Sequence, residues 1–177
     1  IGDADDVYKV KTSYINFTDS DLLSYVDKYI FMVDYYLLDN VQMYLLGASY
    51  DLQYRVTDGD EQFYINGNTV VSDALDCSGE FKHLGAAMYG LRLQGLEDEP
   101  SEQGEVLCRI RYEESDGTVN TVVCTARDDA TMYFYLNDEY LGGYGNRYLL
   151  TSTYDNYGIE GSLAALFEAL GVEDTQN

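Results

Sequence analysis

The sequence predicts an α+β domain of antiparallel strands with about three helices, in which a β-β-β-β-α unit occurs twice. Three observations carry this prediction. Hydrophobic residues make up 46% of the 177 residues, enough for a domain of this length to bury a core. Short alternating apolar segments are separated by turn residues, which is typical of antiparallel strands. The same order of segments recurs on both sides of an acidic stretch at residues 96–104.

The first unit covers residues 1–95 and includes a preceding strand and helix, predicted at residues 7–14 and 19–31. A hairpin turning at residues 47–49, a third strand, a return strand and a helix follow. The strands are predicted at residues 40–46, 50–57, 62–65 and from Val70 onwards. The helix is indicated by an apolar stripe at helical spacing, formed by Phe81, Leu84, Met88 and Leu91.

The second unit covers residues 105–177 and repeats this order, with a terminal helix capped by Gly171. Its strands are predicted at residues 105–112, 118–126, 132–136 and 148–151. Tyr64-Ile65-Asn66-Gly67 corresponds to Tyr135-Leu136-Asn137-Asp138. This likeness indicates an internal duplication, against the alternative that hairpins and helices recur by chance. Residues 96–104, with the only proline, are predicted to be an acidic linker inside one compact domain.

The charge of the chain excludes some classes of partner. There are 32 acidic and 10 basic residues, a formal net charge of −22. A field of this sign repels phosphate backbones, so nucleic acid is not expected to bind. Solubility is the simplest explanation, and a cationic or basic partner is the alternative. No apolar stretch is long enough for a transmembrane helix.

Residues for catalysis or metal binding are scarce, so we predict no catalytic residue, no metal site and no cofactor. His83 is the only histidine, and it falls off the apolar stripe of its helix. Zinc needs several closely spaced Cys or His ligands, which the three cysteines and one histidine do not supply. Paired carboxylates could serve a glycosidase. With 32 acidic residues, however, such a pair is not informative.

Two aromatic or glycine-rich features suggest recognition. The 19 tyrosines are well above ordinary usage, and tyrosine suits both half-buried strand surfaces and exposed binding surfaces. Residues 141–147 are predicted to form a glycine-rich loop. Its side chains Tyr144, Asn146 and Arg147 are the candidate ligand-binding residues, although glycines more often permit tight backbone geometry.

The hairpin at residues 105–126 makes a specific prediction for two cysteines. If it turns symmetrically about Asp116, Cys108 faces Cys124, and both lie on the apolar side of their strands. We expect adjacent, buried cysteines that could form a disulfide in an oxidising compartment. A small buried thiol also packs well without oxidation. Cys77 has no evident mate.

A family resemblance rests on four segments. They are Tyr25-Val26-Asp27-Lys28-Tyr29-Ile30, Asp39-Asn40-Val41, Tyr64-Ile65-Asn66-Gly67 and residues 81–93. With them the chain resembles an uncharacterised domain-of-unknown-function family of bacterial envelope proteins. Its members are often lipoproteins encoded near ABC-type transporters of the gliding-motility type. The resemblance implies an extracytoplasmic protein, membrane-anchored through a removed N-terminal segment. It supplies no catalytic residues.

Together these observations predict an extracytoplasmic, non-catalytic binding or assembly module. The resemblance implies a role accessory to such a transporter. Its partner would be a protein or glycan of the bacterial envelope. The alternative is a secreted or anchored envelope protein that binds or hydrolyses glycans.

Overall fold

The computed structural model describes residues 28–57, 60–72, 74–100, 104–153 and 158–173. The strand predicted at residues 7–14 and most of the helix predicted at 19–31 lie outside these ranges. The end of that predicted helix is wrong, because residues 28–31 are not helical. Their backbone groups instead form hydrogen bonds with residues 91–93: Ile30 N donates to Leu91 O (3.0 Å), and Leu93 N donates to Lys28 O (2.7 Å).

Nine antiparallel strands form one sheet in the described part of the chain, and helices pack against one of its faces. The fold class predicted from the sequence, α+β with antiparallel strands, is confirmed. The strands of the sheet are β1 Leu38–Leu45, β2 Ala48–Thr57, β3 Asp60–Ile65, β4 Asn68–Thr69, β7 Gly95–Leu96, β8 Val106–Glu114, β9 Val119–Ala126, β10 Thr131–Leu136 and β11 Glu139–Asn146. A separate hairpin pairs β5 Val71–Ser72 with β6 Leu75–Asp76. The helices are α1 Ser78–Tyr89, α2 Tyr148–Thr151 and α3 Ile159–Leu170.

The strand order is β4-β3-β2-β1-β8-β9-β10-β11-β7, with β1 and β8 paired at the centre. From this central pair, each unit runs outwards through its strands in sequence order. The two units therefore share one sheet and one core, as expected of a compact domain. The internal duplication itself stays a prediction. The strands of both units nevertheless follow the same order outwards from the central pair.

The corresponding asparagines of the two units make the same contacts. Asn66 Oδ1 accepts from Asp51 N and Asn66 N donates to Asp51 O, both at 2.8 Å. Asn137 makes the same two bonds with Thr121, also at 2.8 Å. Both asparagines have a left-handed backbone, with φ of 48° and 51°. Asparagine tolerates this conformation, which explains its place at both turns.

The core lies between the sheet and the helices. On β1 the buried side chains alternate with exposed ones, which leaves Val41, Met43 and Leu45 on the core side. Phe81 of α1 contacts Phe63 of β3, with ring centroids 4.9 Å apart. The buried helix residues include Leu84, Met88, Leu163, Leu166 and Phe167. The predicted stripe on α1 is thus confirmed, except that the helix ends at Tyr89, before Leu91.

The first hairpin turns one position earlier than predicted. Its two turn residues are Leu46 and Gly47, with φ of 49° and 103°, whereas residues 47–49 were the predicted turn. Ala48 already belongs to β2, where it pairs with Leu45 and is buried. Two consecutive residues of positive φ give a turn whose twist matches the flanking strands.

Two predictions near the end of the second unit are wrong. Residues 148–151 form helix α2, not a strand, because Asn146 Oδ1 accepts from Tyr148 N (2.8 Å) and supports its first turn. Residues 141–146 belong to strand β11, not to a loop. Glycines are needed there because the backbone of residues 92–96 lies very close to β11. A Cβ at Gly143 would lie 2.4 Å from Gly95 O, and one at Gly145 would lie 2.5 Å from Arg92 O.

The predicted linker at residues 96–104 begins inside the fold. Leu96 lies opposite Gly143 in the pairing of β7 with β11, and Glu97 N donates to Gly142 O at 3.0 Å. The acidic segment thus joins the two units while its first residues extend the sheet.

The predicted cysteine pairing is confirmed. Cys108 lies opposite Cys124, as Ile110 lies opposite Val122. Both cysteines are fully buried, and each is a free thiol in the structure. A hydrogen bond to Cys108, together with burial, raises the pKa of Cys124 well above its usual value. The disulfide stays a prediction. No helix of the described residues is long and apolar enough to cross a membrane.

Candidate binding surface

The sheet face opposite the helices, here called the open face, presents polar and aromatic side chains to solvent. On β1 it carries Gln42 and Tyr44, both exposed between buried core residues. On β8 it carries Arg109 and Arg111, which alternate with the buried Cys108, Ile110 and Tyr112. Period-two alternation thus gives each central strand one apolar face and one polar face.

One row of side chains crosses five strands of the open face. The register places Tyr44 opposite Arg109, and Arg109 opposite Val123. Val123 in turn lies opposite Tyr135, and Tyr135 lies opposite Tyr140. Neighbouring strands lie about 4.8 Å apart, so this tyrosine–arginine row spans roughly 19 Å.

The arginines of the open face differ in their partners. Arg111 Nη1 lies 2.6 Å from Glu113 Oε2 in a half-exposed ion pair. Arg109 is exposed and has no hydrogen-bond or ion-pair partner among the described residues. Beside them lies a shallow depression of ≈ 500 Å³. Its other polar lining residues include Gln42, Ser49, Asp51 and Asn66.

A polar and aromatic cluster closes one end of this face. Glu97 Oε1 accepts from the Tyr133 hydroxyl (2.7 Å), and its Oε2 accepts from Arg127 Nε (2.9 Å). The Tyr140 hydroxyl donates to Glu97 O at 2.8 Å. The hydrogen bond from the Tyr133 hydroxyl lowers the pKa of Glu97, and the hydrogen bond and charge of Arg127 lower it as well. Burial raises the pKa of Tyr140 to about 12. This cluster fixes the acidic segment against β10 and β11.

The candidate ligand-binding residues of the sequence lie in or beside this end of the sheet. Arg127 stacks over the Tyr144 ring, 4.3 Å from its centroid. Asn146 supports α2, and Arg147 Nη1 donates to Asp128 O at 3.0 Å. Each of the three side chains therefore joins different parts of the fold. Their role in ligand binding stays a prediction.

The arginines of the open face were not among the residues predicted from the sequence. The signal was present in the hairpin prediction, because Arg109 and Arg111 alternate with Cys108 and Ile110, which were placed in the core. The sequence did not indicate which strand lies next to β8 in the sheet. Tyr44 meets Arg109 only because β1 pairs with β8.

The only histidine lies between two helices and not on the open face. His83 is exposed on α1, where it lines a groove against α3 together with Glu80 and Glu168. Among the described residues, no three His, Cys, Asp or Glu side chains are grouped so that they could hold a metal ion.

The turn between β9 and β10 is held by one carboxylate. Asp128 Oδ1 accepts from the backbone N of Ala130 (2.8 Å) and Thr131 (2.7 Å), and Oδ2 accepts from Thr131 Oγ1 (2.7 Å). These hydrogen bonds lower the pKa of Asp128 from 3.8 to about 2, and the bond from the Thr131 hydroxyl has the largest effect. The ionised form is thereby favoured in the folded protein.

Asp128→Asn is expected to lower the free energy of unfolding at pH 7 and to weaken its dependence on pH. Because the folded-state pKa lies below the unfolded value, the stabilisation by Asp128 is complete above about pH 4 and is lost as the pH falls through about 2. Urea unfolding across this range measures it. Asp129→Asn, at an exposed neighbour, is the control. If both variants keep the wild-type slope, the Asp128 bonds do not stabilise the fold.

Comparison with models of protein families, with curated proteins and with solved structures gives no match for this chain. The family resemblance drawn from the sequence therefore stays a prediction.

Proposed function

We propose that this domain is a non-catalytic binding or assembly module that works outside the cytoplasm, and that it binds an acidic glycan through the open face of its sheet. The observation that carries the proposal is Arg109, an exposed arginine without a partner among the described residues, beside Tyr44 at the centre of the sheet. The planar guanidinium of an unpaired arginine can bind a carboxylate through two parallel hydrogen bonds.

The charge distribution supports an anionic ligand at this place. The chain carries a net charge of −22, so most of its surface opposes anions. Eight lysines and arginines lie among the described residues, and three of them, Arg55, Arg109 and Arg111, are on strands β2 and β8 of the open face. The open face therefore offers an anionic group a local set of basic side chains on a chain that is otherwise strongly acidic.

The aromatic side chains favour a glycan over other anions. Tyr44, Tyr135 and Tyr140 lie in the same row as Arg109. Tyrosine gives a large amphipathic contact area with few torsions to restrict. An extended chain of uronate sugars would place rings on the tyrosines and a carboxylate on Arg109.

The extracytoplasmic location rests on the family resemblance. The adjacent Cys108 and Cys124 are compatible with an oxidising compartment, where they could form a disulfide. The full-length precursor tests this part of the proposal. A secretion signal or lipoprotein cysteine upstream of Ile1 is expected, and a precursor made and retained in the cytoplasm would contradict it.

Calorimetric titration with three oligomers tests the binding function. A galacturonate hexamer is expected to bind saturably, and neutral maltohexaose at least about tenfold more weakly. Hexaglutamate that binds as well as galacturonate would contradict the glycan assignment and indicate an acidic protein partner. Absence of saturable binding to either acidic oligomer would contradict the binding surface. Release of new reducing ends during incubation would show that the protein is a hydrolase.

A further inference from the structure

An apolar cavity of ≈ 260 Å³ lies on the other side of the sheet, between α1 and strands β1 to β3. It is separate from the open face, and the proposed glycan function does not use it. Its apolar lining includes Val41, Leu52, Phe63, Phe81, Met88 and Tyr89.

The cavity opens along one side of α1. Lys82 and Ala86 are exposed there, and Gly85 between them is half-buried. The side of α1 that faces α3 is different, because it carries Glu80 and His83. A small molecule could therefore enter from solvent without separating the two helices.

The size and lining fit a ring-shaped molecule. Engineered apolar cavities of about 150 Å³ bind benzene, and this one is larger. Aromatic side chains surround it: the Tyr54 and Phe63 rings lie 5.2 Å apart, and the Phe63 and Phe81 rings lie 4.9 Å apart. A further planar ring can pack against such side chains in offset or edge-to-face contact.

Charges near the opening favour a neutral ligand. Lys82 Nζ lies 3.3 Å from Glu61 Oε2, so its charge is already paired. Burial, together with the charges of Asp34 and Glu114, raises the pKa of Tyr89 to about 12. An anionic group at the opening would therefore be repelled by these carboxylates, whereas no carboxylate of the described residues lines the cavity to pair with a cation.

Gly85 keeps the cavity open from the helix side. A Cβ built on it would meet no atom within 4 Å, although the residue lines the cavity. Alanine in a helix interior is more favourable than glycine. Packing of the helix therefore does not require glycine at this position, whereas a larger side chain would occupy space that a ligand can use.

We infer that this cavity is a binding site for a small, neutral aromatic molecule. Binding would be driven by burial of the ring among the apolar side chains of α1 and β1 to β3.

Methionine methyl signals test this inference directly. The protein has four methionines, of which Met88 lines the cavity and Met32, Met43 and Met132 do not. In protein labelled with ¹³C at the methionine methyl groups, titration with toluene is expected to shift the Met88 signal saturably. The other three signals should stay in place. An unmoved Met88 signal, or equal shifts of all four, would overturn the inference.

Two matched substitutions in α1 give an independent test. Gly85→Leu is expected to weaken toluene binding at least about tenfold because the leucine fills the cavity. Gly79→Leu is the control, since Gly79 also has no atom within 4 Å of its Cβ but does not line the cavity. Equal affinity of the two variants would overturn the inference. If Gly85→Leu does not fold, the Met88 titration of the wild-type protein decides.

Discussion

Arg109→Glu is expected to reduce the affinity for a galacturonate hexamer at least about 100-fold, equivalent to about 2.7 kcal/mol. The substitution removes a charge-assisted hydrogen bond and places a repelling carboxylate at the centre of the open face. Arg109 is exposed on β8, so the fold should be retained. Calorimetric titration measures the affinity, and thermal unfolding verifies the fold.

The matched control is Arg92→Glu. Arg92 is also an exposed arginine, but it forms a β-bridge with Tyr29 and lies outside strands β1, β8 and β9. The two substitutions change the net charge of the protein equally. Arg92→Glu is therefore expected to change the affinity less than about threefold. Equal losses in the two variants would mean that total charge, not the open face, governs binding.

Tyr112→Ala is expected to lower the free energy of unfolding by about 3–5 kcal/mol, because it removes a large ring from the packed core. Tyr112 lies on β8 of the second unit and is 1% exposed. Its ring contacts come from the first unit: Phe31 at 4.9 Å and Tyr89 at 6.1 Å between centroids. Both units should therefore unfold together, in one transition at lower denaturant concentration.

Tyr112→Phe is the control for this experiment. It keeps the ring and removes only the hydroxyl, so a change below about 1 kcal/mol is expected. Urea unfolding followed by hydrogen exchange distinguishes the outcomes. Two separate transitions in Tyr112→Ala, with exchange protection retained in residues 38–65, would show that the two units are independent domains.

Local features of the chain were predictable from sequence. The register of β8 and β9 was predicted correctly as far as Cys108, because a short turn at Asp116 fixes which residues lie opposite each other. Beyond Cys108 a bulge shifts the register, so that Val106 pairs with Thr125. The turns at Asn66 and Asn137 were found for a similar reason, since asparagine and its neighbour tolerate positive φ. Such signals involve only residues close in sequence.

Features that depend on distant neighbours were not predictable. The pairing of β1 with β8 joins residues about seventy positions apart, and no periodicity within either strand indicates it. The glycines at 143 and 145 suggested a loop. They are needed instead because the backbone of residues 92–96 lies too close to β11 for a Cβ atom at these positions. The open face is likewise formed by side chains of both units, so its tyrosine–arginine row appears only once the strand order is known.

The arginine side-chain Nε–Hε spectrum tests the central claim, that the open face is the binding surface. The protein has six arginines, which give few and separable signals. Titration with the galacturonate hexamer is predicted to shift the signals of Arg109 and Arg111 and to leave those of Arg92 and Arg147 in place. Shifts of Arg92 or Arg147 with unmoved signals of Arg109 and Arg111 would contradict the claim.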